Sequence, residues 1–264
     1  MAGKYYLLVL SLSGIFIMHL TISHLTGYVV IQKKTGQNNS LNQPTAANQK
    51  LFQVKTEEWN FFSLDEIVDG SQNMDGRINY FLNGDTLKMF TRPNSYDRPK
   101  VRTKSKIYLD GKYTWRVYVP RMGEGDMASI GCFLYYDDLH ELDFEIGYGK
   151  EEVRKKVNAT GSDLVCYVTS QGNPWHQEIK PIKANAWYEF SMKLSLKKDK
   201  YFIEWYVDHK LISSRQLNFG REIPFYIFSS VENLTFMGDH IAKQENYALF
   251  DFMKFEGMVS HTLD

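Results

Sequence analysis

This chain of 264 residues lacks several things, and the shortages narrow what it does. Lys plus Arg number 31 and Asp plus Glu number 31, so the net charge is zero. Without a basic excess there is no electrostatic footprint for nucleic acid. The seven histidines are scattered, with no H-x-x-x-H or similar spacing, so no metal-ligand pattern stands out. A G-x-S-x-G elbow, a C-x-x-C pair and a phosphate-binding glycine loop are all absent. No internal repeat and no long amphipathic helix can be traced. Cysteine is scarce: Cys132 and Cys166 are the only two. Both lie in apolar, strand-like runs. If those strands flank 141–146 on opposite sides, they stand about 9.5 Å apart, or two strand spacings. That exceeds disulfide reach, so two buried thiols are expected.

Aromatic residues are plentiful, at 15% of the chain. They favour strands, and they also offer flat faces on which sugar rings rest. From Leu51 onward, short alternating runs are separated by Gly, Asn, Asp and Pro, the pattern of antiparallel β structure. Strands are expected at 78–82, 86–91, 113–119, 130–136, 141–146, 164–169, 187–194, 201–207, 210–214 and 248–255. The fold class is all-β, one sandwich domain over 51–264.

Residues 1–31 read differently. Lys4 precedes an uncharged, mostly apolar run over 5–22, between a signal-peptide core and a membrane span in length. No small-x-small cleavage pattern follows it, and Lys33 and Lys34 lie beyond. A hydrophobic helix is expected here, as a signal peptide or a retained membrane anchor, with the domain exported. Residues 32–50, rich in Gln, Asn, Thr and Ser, read as a polar linker.

The most informative stretch is Glu141-Leu142-Asp143-Phe144-Glu145. In a strand the three acids share one face while Leu142, Phe144 and Ile146 point into a core. Three like charges on one face repel, a cost that needs a functional reason. The Cα atoms of Glu141 and Glu145 lie roughly 13 Å apart, and their side chains reach toward each other. Carboxyls that close to about 5–5.5 Å suit a retaining glycosidase. Crowding splits their pKa values, so that one serves as acid while another stays ionised. A Ca²⁺ site and a plain solvated strand face are the competing readings. The run 130–136 joins this strand through a short acidic turn, so Tyr135 or Tyr136 lies near Glu141, the register being open.

These residues resemble glycoside hydrolase family 16, the laminarinase, lichenase and agarase group. The central match is the Glu-x-Asp-x-Glu strand at Glu141, Asp143 and Glu145. Weaker matches keep the expected order: Gly84–Met89, the strand from Gly111 to Pro120 that carries Arg116, the hairpin from Trp187 to Asp208, and the run Ala248–Phe255. The resemblance implies a jelly roll of two curved antiparallel sheets, concanavalin A-like, that cleaves internal β-linked bonds of a polysaccharide. It implies Glu141 as nucleophile, Glu145 as acid and then base, and Asp143 as the group tuning the nucleophile. A non-catalytic lectin-like sandwich and a transglycosylase are the alternatives. Departures bear on the sugar: Ile146-Gly147-Tyr148 follows the triplet, Tyr188 stands where many members place His, and Ser229–Asn233 replaces an Asn- and Gly-rich strand.

Beside the triplet, Arg116, Tyr135, Tyr136, Trp175 and His176 are candidates to line the cleft. Trp175 and His176 follow the turn-rich Gln171–Pro174 and could stack on and hydrogen-bond a sugar. No cofactor is required, though a structural calcium is left open. The expected partner is the polysaccharide, with no nucleic acid, a membrane only through the first segment, and a monomeric state.

Overall fold

The structure, a computed structural model, describes residues 10–11, 14–15, 50–61, 64–65 and 67–262. The chain divides into two compact units, Met1–Gln37 and Asn38–Asp264. In the first, β1 (Leu10–Ser11) and β2 (Gly14–Ile15) form a short antiparallel pair. The hydrophobic helix expected there is not what these residues form, and the rest of 5–22 lies outside the described residues. Among the described residues, no helix is long and apolar enough to cross a membrane.

The second unit is nearly all strand. In order it runs β3 (Lys50–Trp59), β4 (Ile67–Asp69), β5 (Tyr80–Asn83), β6 (Thr86–Thr91), β7 (Lys100–Thr103), β8 (Tyr108–Val119), β9 (Ala128–Tyr135) and β10 (Glu141–Gly147). A single helical turn and a half follows, α1 (Glu151–Lys156). The chain then continues β11 (Leu164–Ser170), β12 (His176–Ile182), β13 (Ala186–Lys197), β14 (Lys200–Val207), β15 (Lys210–Gln216), β16 (Tyr226–Asn233) and β17 (Asn246–Thr262). One sheet has the order β12-β11-β10-β9-β16-β7-β4. The other has β15-β14-β13-β8-β17-β6-β5, with β3 also on β17. Both are antiparallel throughout, as the jelly-roll expectation requires.

Alternation builds the core between the sheets. From one side come Tyr113, Trp115 and Val117 of β8, Phe190 and Met192 of β13, and Ile203 and Trp205 of β14. From the other come Ile130, Cys132 and Leu134 of β9, Leu142, Phe144 and Ile146 of β10, and Cys166 and Val168 of β11. Phe144 meets Phe190 across the gap, with ring centroids 5.2 Å apart. Each such side chain contributes about 1.5–3 kcal/mol of burial, which fixes the register of β10 and therefore which face its acids occupy. Trp115 Nε1 donates to the carbonyl of Phe228 at 3.1 Å, a polar tie from one sheet to the backbone of the other. Cys132 and Cys166 sit on the two strands flanking β10, opposite Phe144 and Ile146 respectively, and are free and buried.

The connection from β10 to β11 is held by Arg154. Its guanidinium lies over the Tyr148 ring, and it donates to the carbonyls of Tyr148, Gly161 and Asp163. A charge this buried is tolerated because those acceptors replace its water.

Candidate active site

With Leu142, Phe144 and Ile146 committed to the core, Glu141, Asp143 and Glu145 are left on the outward face of the seven-stranded sheet. Register places Glu141 opposite Tyr135, Asp143 between Phe133 and Thr169, and Glu145 between Gly131 and Tyr167. Over this face lies an open cavity of about 450 Å³, with Glu141 and Glu145 in its lining. The aromatic Phe133, Tyr135 and Phe228 also line it, as do Arg98, Lys100, Arg102 and Glu232. Phe133 and Phe228, both nearly buried, stack on each other with centroids 4.6 Å apart and bring apolar surface to the cavity lining beside the acids.

Glu145 is nearly buried, and Ser129 of the adjoining strand donates its hydroxyl proton to Oε2. Gly131, directly across the strand pair, makes room for it. A Cβ there would collide with Ser230 Oγ and stand 3.1 Å from Glu145 Oε1. Loss of water around the carboxyl, reinforced by the nearby Glu232 charge, pushes Glu145 up to about 8. Burial thus favours its protonated form.

Glu141 and Asp143 behave as a pair. Burial raises Glu141 to about 7, whereas its hydrogen bond with Asp143 pulls it down. Asp143 is pushed well above the usual carboxylate range by burial first, then by the charges of Glu141 and Glu145. Gln171 Nε2 donates to Asp143 Oδ2 at 2.8 Å, while buried Oδ1 receives no hydrogen bond. Two carboxylates hold only acceptors, so the contact between these acids needs a proton on one of them. Burial and its two acidic neighbours favour that proton on Asp143, which leaves Glu141 the more readily ionised of the pair.

A fourth acid, Glu232 on β16, was missed by sequence reasoning. It is buried and held by Arg98 Nε at 2.7 Å and Lys100 Nζ at 2.8 Å. Its partners are 134 and 132 residues away, so no local spacing announces them; only the outward alternation of Tyr226, Phe228 and Glu232 in β16 could have.

The other sequence candidates divide. Tyr135 lines the cavity and donates its hydroxyl to Asp138 at 2.9 Å. Tyr136 does not: alternation turns it to the other side, against the core and His140. Arg116 lies on β8 of the other sheet, paired with Asp251 at 2.6 Å and over Trp187. His176 opens β12, but its ring packs toward Trp205 and its Nε2 meets Ser213 Oγ at 2.8 Å, between the sheet edges rather than in the cavity. Trp175 is exposed and outside the cavity lining. Arg116 is exposed between buried Trp115 and Val117, but facing outward does not say which sheet a strand joins. Among the described residues, no group of three or more His, Cys, Asp or Glu is arranged to hold a metal ion.

No protein-family model matches this chain, and no curated protein matches it. Solved structures do. A Crh5 transglycosylase in complex with NAG is similar with a TM-score of 0.55 at 13% identity, over 76% of this chain and 84% of that one. A prokaryotic β-1,3-1,4-glucanase (lichenase) from a mouse hindgut metagenome gives 0.54 at 13%, over 77% and 99%. LamA from Z. galactanivorans, solved with laminaritriose and laminaritetraose, gives 0.54 at 11%, over 77% and 98%. At such identities the likeness establishes the fold alone, a jelly roll shared with these proteins.

Proposed function

We propose that this protein is a retaining glycoside hydrolase acting inside the chain of a β-linked polysaccharide. Glu141 attacks the anomeric carbon as the glycosidic bond to the leaving oxygen breaks, and Glu145 delivers its proton to that oxygen. The result is a glycosyl ester on Glu141. A water molecule then gives a proton to Glu145 as its oxygen bonds to the anomeric carbon, and the C–O bond to Glu141 breaks with net retention. Asp143 holds a proton against Glu141 while the nucleophile is at rest and weakens that bond as the ester forms. The single observation that carries this reading is that Glu141, Asp143 and Glu145 share one strand face, with Glu141 and Glu145 lining an open cavity. The aromatic Phe133, Phe228 and Tyr135 give sugar rings a surface to rest on.

Support at the level of fold comes from neighbours whose names are those of a lichenase and a transglycosylase. The same machinery transfers to a sugar hydroxyl if an acceptor outcompetes water, so chain-length analysis of the products distinguishes the two outcomes. A polysaccharide of this size is met outside the cytoplasm, and export through residues 1–31 belongs to the proposal. The test is incubation of the purified domain with β-glucans and algal galactans while reducing ends are measured. New reducing ends that disappear in Glu141→Gln support the hydrolase; binding without any turnover favours a lectin-like module.

A further inference from the structure

One wall of the cavity is basic, and its charges are not equally engaged. Arg98 and Lys100 both hold Glu232. Arg102 does not share that carboxylate. Its Nη1 donates to the carbonyls of Thr103 at 2.9 Å and Lys104 at 3.4 Å, and its guanidinium lies 4.3 Å from the ring centre of Tyr226. Lys106 flanks the same ring at 5.4 Å, lies 4.2 Å from that of Tyr136, and donates to the Tyr136 carbonyl. Among the described residues neither cation makes an ion pair. Asp138, the remaining carboxylate on the lining, accepts the Tyr135 hydroxyl.

Register fixes where this charge stands relative to the chemistry. Arg102 faces Phe228, Phe228 faces Phe133, and Phe133 faces Asp143, one row across four strands. Three strand spacings of about 4.8 Å put Arg102 roughly 14 Å from the catalytic strand. It is too far to touch the breaking bond, and it lies at the end of the Phe133–Phe228 patch along which a sugar chain would run. A neutral polysaccharide offers only hydroxyls to such a group. The guanidinium fork, held over Tyr226 and donating among the described residues only through Nη1, matches the two oxygens of a carboxylate or a sulfate ester. We propose that Arg102, with Lys106 beside it on the Tyr226 ring, forms a subsite for an anionic substituent on the polysaccharide, so that the substrate is a charged rather than a neutral glycan. This rests on the glycosidase reading for its context, not for its chemistry.

The experiment uses oligosaccharides of one β-linked backbone in three forms: unsubstituted, sulfated and uronate-bearing. Their binding to the Glu141→Gln protein is measured by calorimetry, with turnover by the unaltered protein followed in parallel. The expected result is at least tenfold tighter binding of a charged form, narrowing as salt rises. Arg102→Gln on the same background removes that preference and Lys106→Gln reduces it; comparison of the sulfated and uronate forms identifies the substituent. Equal binding of charged and neutral forms, or a preference untouched by Arg102→Gln, overturns the subsite whether or not hydrolysis occurs. Arg102-dependent binding of a charged form with no turnover of any substrate upholds the subsite and overturns the hydrolase.

Discussion

Gln171 Nε2 lies 2.8 Å from Asp143 Oδ2 and is the protein donor that reaches the central acid of the triplet. Gln171 follows β11 directly, and its own backbone N–H is tied to the Glu141 carbonyl at 3.0 Å, so the strand that carries the acids also holds their donor in place. The bond lowers Asp143, opposing the burial that raises it. Replacing Gln171 by Ala is expected to move Asp143 further up and to leave a buried oxygen unmatched, at a cost of about 1–3 kcal/mol. Urea denaturation checks the stability, and a displaced acidic limb in the rate profile checks the coupling to Glu141.

Gly131→Ala tests the space that Glu145 occupies. Ser230 can rotate its hydroxyl away, but Glu145 Oε1 must retreat from a Cβ at 3.1 Å. The expected outcome is a folded protein about 1–3 kcal/mol less stable, with kcat reduced by more than KM changes. Steady-state kinetics beside a thermal melt separates the two effects; an unaltered kcat would mean that Glu145 is not held by this contact.

Removing the acid itself has a sharper signature. Glu145→Gln should lower the rate on polysaccharide by about 10²–10⁴-fold. An aryl glycoside with an acidic phenol needs no protonation of its leaving group, so its first step should survive. A burst of phenol followed by slow turnover is the expected trace in stopped-flow absorbance. Equal losses on both substrates would contradict the role of Glu145 as proton donor.

How far this site could be read in advance depends on how local each interaction is. The alternation in β10 separated the core-facing residues from the outward-facing acids because one face buries Leu142, Phe144 and Ile146 completely. The hairpin with β9 was also legible, whereas its register, and hence the choice of Tyr135 over Tyr136, depended on pairing that no single strand encodes. β7 was not anticipated, and β16 was reached only through the resemblance, at Ser229–Asn233. Lys100–Thr103 is short and half charged, and Tyr226–Asn233 is buried on both faces, which erases the two-residue contrast. β12 contains Pro181, tolerated there because the strand is an edge. The basic wall and Glu232 went unseen because the ties that assemble them, Arg98 and Lys100 to Glu232 and Arg102 to Tyr226, span more than a hundred residues.

The raised acids fix the pH behaviour, with opposite consequences for rate and stability. Activity should fall below about 7, as Glu141 gains a proton, and above about 8, as Glu145 loses one. For stability, Glu145 moves from 4.5 in the unfolded chain to about 8 in the folded one. Across that window the folded chain holds a proton that the unfolded chain has released, so stability declines as pH rises. Melting temperatures from pH 4.5 to 8.5 check this, and Glu145→Gln should flatten the decline.

The most direct measurement is to trap the covalent intermediate. An activated 2-fluoro glycoside of a hydrolysed substrate forms the glycosyl ester quickly and releases it slowly, and peptide mass spectrometry locates the added sugar. The account predicts one glycosyl unit on the peptide containing Glu141, absent from Glu141→Gln. A label on any other residue, or products of inverted configuration with no label at all, would contradict it.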